Sequence, residues 1–321
     1  MKVLVAMSGG IDSTMTALLL REQGYELVGV TFRTYDSMKD SCLANEKGCC
    51  TIDSIMEAKR LCDSLGIEHH IVDFRETFRQ TVIENFVSEY KHGRTPNPCV
   101  LCNKCIKWGE LLKVADQHHC EKIATGHYAR ITELNGHYYL HRAADERKDQ
   151  TYFLWQLTED NLKHTIFPLG DFTKPQVREM AAERGYVKLS QKTESQDICF
   201  IPNGDVKGFL NHYLPDFTPY TIGQRKGLGV ALGYPAYVKS VQPLEFGHHD
   251  ELYTHDVELT NGFFRGDDTQ PVRAQIRYRS KATEAHYDGI LHFTEPVWAV
   301  TPGQSAVMYQ QDLLVGGGVI K

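Results

Sequence analysis

Two groups of residues in this chain have types and spacings suited to chemistry. The first is Ser8-Gly9-Gly10-Ile11-Asp12-Ser13, directly after the apolar run Lys2 to Met7. Glycines let a backbone approach a phosphate closely, and the N–H groups at a helix start point at it. Ser8 and Ser13 add hydroxyl donors, while Asp12 can cap a helix or help hold a magnesium ion. No lysine lies inside the loop, so it is not the Walker-type loop that grips a γ-phosphate. The plain alternative is a glycine turn with no ligand.

The second group is a set of thiols. Arg94-Thr95-Pro96-Asn97-Pro98-Cys99-Val100-Leu101-Cys102-Asn103-Lys104-Cys105 carries three cysteines at two-residue gaps, and Glu194 to Ile201 carries Cys199. The two prolines predict an extended loop that presents side chains instead of filling a core. A thiolate is the reactive form of cysteine, and Lys104 or Lys107 would favour it. The plain alternative for Cys102 and Cys199 is a buried small apolar residue. All nine cysteines lie at or before position 199, the number is odd, and no export signal is visible. Free, reactive or metal-bound thiols fit better than a disulfide framework. Cys62 falls on the apolar side of a helix and reads as core.

The elements that must position these groups alternate. Lys2 to Met7 is a strand, and Ile11, Met15, Leu18 and Leu19 recur at helical spacing before Gly24. Glu26 to Phe32 is a second strand, Asp53 to Leu65 a helix, His69 to Phe74 a third strand and Lys122 to Gly126 a fourth. The expected class is α/β, with a doubly wound parallel sheet at the N-terminus. Ligands in such folds sit beyond the carboxyl ends of the strands, here after Ala6, Val30 and Ala124. Past residue 205 Gly, Pro and aromatics rise. From about 251 short alternating runs (Val272 to Tyr278, Gly289 to Phe293, Ser305 to Tyr309) predict a C-terminal β-barrel. The expected division is 1–205 for the nucleotide-binding catalytic domain, 206–250 for a small central domain and 251–321 for the barrel.

The 321 residues suit two or three domains, and 41% hydrophobic with 24% charged residues is ordinary for a globular protein. A net charge of −6 argues against indiscriminate coating of nucleic acid but leaves room for a local basic face. No apolar run is long enough for a bilayer, and the N-terminus has the wrong flanks for a signal peptide, so the expected location is cytoplasmic.

With these motifs in place, the chain resembles a known family. The phosphate loop looks like the PP-loop of the ATP pyrophosphatases. That loop, Thr95-Pro96-Asn97-Pro98 with Cys102-Asn103, Ala124-Thr125-Gly126-His127-Tyr128, Lys148 to Phe153, Ile198 to Ile201, Gly223 to Gly229 and Thr301 to Val307 are similar, in order, to the bacterial tRNA-specific 2-thiouridylases of the MnmA family. The resemblance implies adenylation of the wobble uridine of tRNA by Mg2+ and ATP, cleaved between its α- and β-phosphates, followed by sulfur transfer to C2. It assigns ATP to Ala6, Met7, Ser8, Gly9, Gly10, Ile11, Asp12, Ser13, Phe32 and Gly126. Sulfur transfer falls to Cys102 and to Cys199 as a persulfide. It assigns the target base to Asn97, Pro98 and Cys99, and other tRNA contacts to His127, Lys148, Asp149, Gln150, Arg277, Tyr278 and Gln304. The implied partners are tRNAs of the Lys, Glu and Gln type and a cysteine desulfurase or persulfide relay protein.

The chain departs from the family pattern in two places. Many members carry Asp and Glu where this one has Cys99 and Cys105, which leaves an acid–base role there open. Cys99, Cys102 and Cys199 could instead hold a [4Fe–4S] cluster with one open iron, with Cys105 as an alternative ligand. Zinc is a further alternative, although a closed site would silence the chemistry. Cys42, Cys49 and Cys50 form a looser group that could take zinc with His69 or His70, or be incidental thiols. The stretch from Phe200 to Thr221 is also shorter than in many members.

For RNA, the residues alone offer Arg142, Arg147, Lys148, Arg225 and Lys226, and then Arg273, Arg277, Arg279 and Lys281 on or beside a predicted strand with Tyr278. Alternate arginines on a strand would share a face and neutralise phosphates, and Tyr278 could stack on a base. A solvated strand face is the plain alternative. Two other functions fit parts of the pattern: a PP-loop ligase acting on a small metabolite, for which the thiols have no use, and an ATP-binding redox or metal sensor, against which the arginine-bearing β-domain counts.

Overall fold

A computed structural model describes residues 1–35, 52–192, 198–201, 204–230 and 232–321. Cys42, Cys49, Cys50 and Glu194 to Asp197 lie outside the described residues. The chain forms two compact units: residues 1–82 with 99–205, and residues 83–98 with 206–321.

The first unit is built on five parallel strands. They are β1 (Lys2–Ala6), β2 (Glu26–Arg33), β3 (Glu68–Asp73), β4 (Lys122–Ala124) and β5 (Thr165–Ile166), in the order β3-β2-β1-β4-β5. β1 is central. Val3, Leu4 and Val5 are buried on both faces, as a parallel strand between helices requires. Leu4 pairs with Val28 on one side and Ile123 on the other. Helix α1 (Ile11–Glu22) follows β1, and α2 (Ile52–Leu65) connects β2 to β3. Ala17, Leu20, Ala58, Leu61 and Cys62 pack with Val3, Val5 and Ala124 in one core cluster. Ile11, Met15, Leu18 and Leu19 pack in a second with Tyr128, Leu169 and Val177, which brings in helix α3 (Lys174–Glu183). Each fully buried Val, Leu, Ile or Met among them contributes about 1.5–3 kcal/mol.

Because β1 lies between β2 and β4, the chain departs to opposite sides of the sheet there. The turns after β1 and β4 face one crevice, where α/β sheets bind ligands. They contain Ser8–Gly10 and Thr125–His127.

The second unit holds helices Glu84–Lys91 and Val206–Tyr213, the hairpin Tyr237–Val241 with Leu244–Gly247, and a closed six-stranded barrel. The barrel strands are β6 (Tyr253–Phe264), β7 (Val272–Gln275), β8 (Thr283–Tyr287), β9 (Ile290–Trp298), β10 (Ser305–Gln310) and β11 (Leu313–Ile320). Their order is β6-β9-β8-β7-β10-β11, and β6 pairs with β11 to close it. Val257, Val272, Leu291, Phe293, Met308 and Ile320 fill the interior. A Cβ on Gly316 would lie 2.8 Å from the Phe263 carbonyl oxygen, so glycine lets β11 approach β6 at the seam.

Two local expectations are corrected. Pro98–Cys102 is a short helix, not an extended loop, with one wide π-type turn, Asn103–Lys107, after it. Pro98 occupies its first position, where the missing N–H is harmless. Strand β7 stops at Gln275. Arg277, Tyr278 and Arg279 lie in a turn, with Arg279 at φ 65°, so the arginines do not alternate along one strand face.

Candidate active site

The phosphate loop is shaped by its own residues. Gly9 has φ +71°, and a Cβ there would sit 2.2 Å from the Ser54 carbonyl oxygen. Ser13 Oγ accepts from the Ser8 backbone N–H at 3.2 Å and donates to the Gly10 carbonyl at 3.0 Å. Ser8 and Ser13 thus brace the turn as well as offering hydroxyls. Gly10 stands just before α1 at its N-cap, and no side chain caps that helix start. The first-turn N–H groups and the helix dipole are therefore directed at whatever occupies the crevice.

Asp12, in the first turn of α1, does not cap the helix. Lys174 Nζ, from the start of α3, donates to both its oxygens at 2.7 and 2.8 Å, and Tyr128 Oη donates to one of them at 2.9 Å. The ammonium also lies 5.6 Å from the Tyr128 ring centre. Gly126 is the close-approach residue on the other wall, since a Cβ there would come within 2.9 Å of Asp12. Phe32, at the carboxyl end of β2, is set edge-on to Phe74, with ring centres 5.1 Å apart. The donor set suits Mg2+ and a phosphate chain: one carboxylate on a helix start, a buried ammonium, two hydroxyls and backbone N–H groups.

Behind this wall His127 is buried, with Nδ1 2.7 Å from Thr125 Oγ1 and Nε2 3.2 Å from Lys107 Nζ. An ammonium can only donate, so Nε2 accepts and Nδ1 carries the proton. Burial first, and the Lys107 charge second, hold the ring well below its ordinary range and keep it neutral. Asp149 is buried too. It accepts from the Ala143 N–H at 3.0 Å and Thr151 Oγ1 at 2.6 Å, and burial raises its pKa against these bonds and Arg142. Gln150 Oε1 accepts from the Tyr128 N–H at 2.9 Å, and Lys148 is half-buried.

Cys99 is exposed, and Cys102, Cys105 and Cys199 are partly buried. Cys102 ends the short helix. The next residue, Asn103, is buried and donates its side-chain amide to the Phe153 carbonyl at 3.0 Å, which fixes the turn. Cys199 sits in a turn closed by Ile201 N–H to Ile198 O at 2.8 Å. Phe200 beside it is buried against Phe78 and Tyr35. Dense surrounding protein pushes the Cys99 thiol up, against the pull of Lys107, although its surface is exposed. Access decides whether a reagent reaches the sulfur, so Cys99 is a reachable thiol. Cys62 is fully buried and is pushed up to about 11, as its core position demands.

Among the described residues, one group of three side chains has ligand atoms within 4.8 Å of one another: Glu68, His70 and His118. Cys99, Cys102 and Cys199 form no such group, so a closed mononuclear zinc clamp is not preformed there. An iron–sulfur cube spreads its thiolates wider and is not judged by that measure. His69, the other expected zinc partner, is 2.8 Å from Thr31 Oγ1, and burial lowers its pKa.

In the second unit the Thr301-Pro302-Gly303-Gln304 turn holds the segment before Asn97. The Thr95 N–H donates to the Pro302 carbonyl at 2.8 Å, and Gln304 Nε2 donates to the carbonyls of Thr95 at 2.8 Å and Pro96 at 3.3 Å. The Arg277 guanidinium donates to Ile222 O, Ala299 O and Thr301 Oγ1, and Arg279 stands 5.3 Å from the Tyr278 ring centre.

Lys174 is the site residue that motif reading passed over, and Tyr128 lay inside the Ala124–Tyr128 motif without a role assigned to it. One signal was present for Lys174: it occupies the first position of a helix, between Thr173 and Pro175, where the dipole disfavours a cation.

Residues 1–203 match the family model described as the tRNA methyl transferase HUP domain, and residues 249–320 the one described as the aminomethyltransferase β-barrel domain. The chain is 45% identical over 361 aligned residues to the tRNA-specific 2-thiouridylase MnmA of Amoebophilus asiaticus, covering 100% of this chain and 95% of that one. It is 40% identical to the enzyme of the same name from Cytophaga hutchinsonii, covering 100% and 97%. A solved 4-thiouridine synthetase–RNA complex with bound ATP is also similar (TM-score 0.42, 18% identity, covering 67% of this chain and 50% of that one). With residues 1–203 and 249–320 matched by the two family models and relatives 40–45% identical along the full chain, the protein belongs to the tRNA-specific 2-thiouridylase family.

Proposed function

We propose that this enzyme replaces the C2 oxygen of the wobble uridine in tRNAs of the Lys, Glu and Gln type by sulfur, using ATP and Mg2+. The uracil oxygen attacks the α-phosphorus, the α–β bond breaks and pyrophosphate leaves. A poor leaving group thereby becomes AMP. A sulfur nucleophile then adds at C2 and AMP departs. The N–H groups opening α1 face the charge that grows on pyrophosphate, and Gly126 lets the turn after β4 close against Asp12.

Cys199 carries the incoming sulfur as a persulfide, taken from a cysteine desulfurase or a relay protein. The Cys102 thiolate attacks the Cys199 sulfur, a Cys102–Cys199 disulfide forms, and hydrosulfide is released toward C2. An external thiol reductant returns both cysteines to thiols. One observation carries this reading. The nucleotide loop and the thiols of Cys102 and Cys199 belong to one compact unit, and carbon–nitrogen ligation on that unit would need no thiol.

A second reading rests on Cys99, the extra reachable thiol of the short helix. Cys99, Cys102 and Cys199 would hold a [4Fe–4S] cluster, which would supply an open iron for hydrosulfide. Residues 206–250 and the barrel are the proposed tRNA-binding parts, with Asn97, Pro98, His127, Lys148, Asp149, Gln150, Arg277, Tyr278 and Gln304 among the contacts. The expected location is the cytoplasm, and no helix among the described residues is long and apolar enough to cross a membrane.

The test is anaerobic reconstitution with wobble-uridine tRNA, ATP and a persulfide donor, read as 2-thiouridine by mass spectrometry. Product without iron or acid-labile sulfide supports the persulfide course. Undiminished turnover in Cys199→Ser would sink both courses.

A further inference from the structure

We infer that Lys174 is the phosphate-binding cation of the nucleotide loop, kept in place on Asp12 until the triphosphate arrives. The inference deepens the ATP-dependent reading above and rests on it. The loop itself contains no cation, yet a triphosphate and its pyrophosphate product need one near them. Lys174 comes from another helix and places its ammonium against the first turn of α1.

Four features argue for more than a brace between helices. First, the Lys174 side chain is 6% exposed whereas Asp12 is 32% exposed, so the carboxylate borders the crevice and the ammonium lies just behind it. Second, the start of α1 has no side-chain cap, so the place in front of the pair is an anion site by its N–H groups. Third, the backbone is set around this lysine. Its N–H donates to Asp145 Oδ2 at 2.8 Å, and Thr173 and Gln176 form a capping box around it. Fourth, Tyr128 donates its hydroxyl to the same carboxylate and places its ring beside the ammonium, so Asp12 keeps a partner if Lys174 turns away.

The pair is electrically neutral while the crevice is empty of nucleotide. When ATP binds, Asp12 is the carboxylate available to Mg2+, and the Lys174 ammonium is released to the β-phosphate oxygens. It then offsets the charge that builds there as the α–β bond breaks.

The experiment is equilibrium binding of ATP and of AMP to the full-length protein without tRNA, with and without Mg2+. In Lys174→Met, ATP affinity falls about 10- to 100-fold, the range for loss of a charge-assisted hydrogen bond. AMP affinity, which lacks the β-phosphate, changes less than about twofold. Lys174→Arg, which keeps the charge, retains more of the ATP preference than Lys174→Met. In Asp12→Asn, which frees the ammonium, Mg2+-free ATP binds at least as tightly as to wild type, while the Mg2+ enhancement shrinks. Equal losses for ATP and AMP in Lys174→Met, or weaker Mg2+-free ATP binding in Asp12→Asn, make the pair a structural brace and overturn the inference. Wild-type protein that binds ATP but forms no 2-thiouridine contradicts the proposed reaction and leaves the Lys174 inference standing.

Discussion

Lys174 Nζ lies 2.7 Å from one oxygen of Asp12 and 2.8 Å from the other, across 162 residues of sequence. The two ends of this pair are unequally shielded, and that asymmetry predicts unequal mutational costs. Asp12→Ala strands an ammonium that is 6% exposed, whereas Lys174→Met leaves a carboxylate that keeps Tyr128 Oη and water. Stranding a buried charge costs about 3–5 kcal/mol, and a partly solvated one much less. Chemical denaturation should show Asp12→Ala as the less stable variant by about 2 kcal/mol. The opposite order would mean that the ammonium is well solvated.

His127 sets a pH dependence. Its folded pKa lies below the unfolded value near 6.5, because burial and Lys107 oppose a second proton. The unfolded chain therefore binds more protons as pH falls through 6.5, and stability drops from there downward. Above that pH both states are neutral at this residue and it contributes no slope. Each pH unit below it removes up to about 1.4 kcal/mol. Denaturation midpoints measured from pH 7.5 to 5 should fall less steeply in His127→Gln than in the wild type. His69 and His118 are lowered as well, so the difference between the two proteins is the readout. Parallel curves would place the buried proton acceptor elsewhere.

How far the sequence already spoke differs by distance along the chain. Ser8–Ser13 was legible because strand, glycines and helix are contiguous, and Ser8, Gly10 and Ser13 bond to one another within five positions. Lys174 was hidden because its partner is on another helix and its own surroundings read as an ordinary capping box. Pro98 was misread. Proline disfavours helix for the residue before it but is at home in the first turn. Strand β11 escaped notice because Gly316, Gly317 and Gly318 look like a loop, and only the seam with β6 explains them. The arginines near 277 looked like a strand face because alternation is judged before the strand's end is known. A positive φ at Arg279 is invisible in composition.

Cys62 separates buried thiols from working ones. Its sulfur is fully buried, its pKa is pushed up to about 11, and a Cβ on Gly29 would come within 2.8 Å of it. Alkylation at pH 8 should label Cys99 early and leave Cys62 untouched until the protein unfolds. Cys62→Ser should cost about 1–3 kcal/mol, the penalty for a buried hydroxyl without a good partner, with per-molecule thiolation intact. Labelling of Cys62 in the native protein would show that α2 opens readily.

The Gly303–Gln304 turn makes the sharpest case within the second unit. Gly303 has φ +89°, and a Cβ there would meet the Thr95 nitrogen and carbonyl oxygen at 3.1 Å. Alanine at this position is strained by conformation and by contact with backbone that cannot swing aside. Gly303→Ala should lose about 1–3 kcal/mol of stability. Gln304→Ala removes two donated hydrogen bonds and should cost about 1 kcal/mol, leaving the carbonyls of Thr95 and Pro96 to water. Both changes loosen the segment leading to Asn97, one of the residues proposed to meet the target base. The kinetic signature should be a raised KM for tRNA with ATP binding unchanged, because the nucleotide loop belongs to the other unit. If Gln304→Ala shifts KM for tRNA while Gly303→Ala, at matched folded fraction, does not, then Gln304 touches RNA itself and its bonds to Thr95 and Pro96 are secondary.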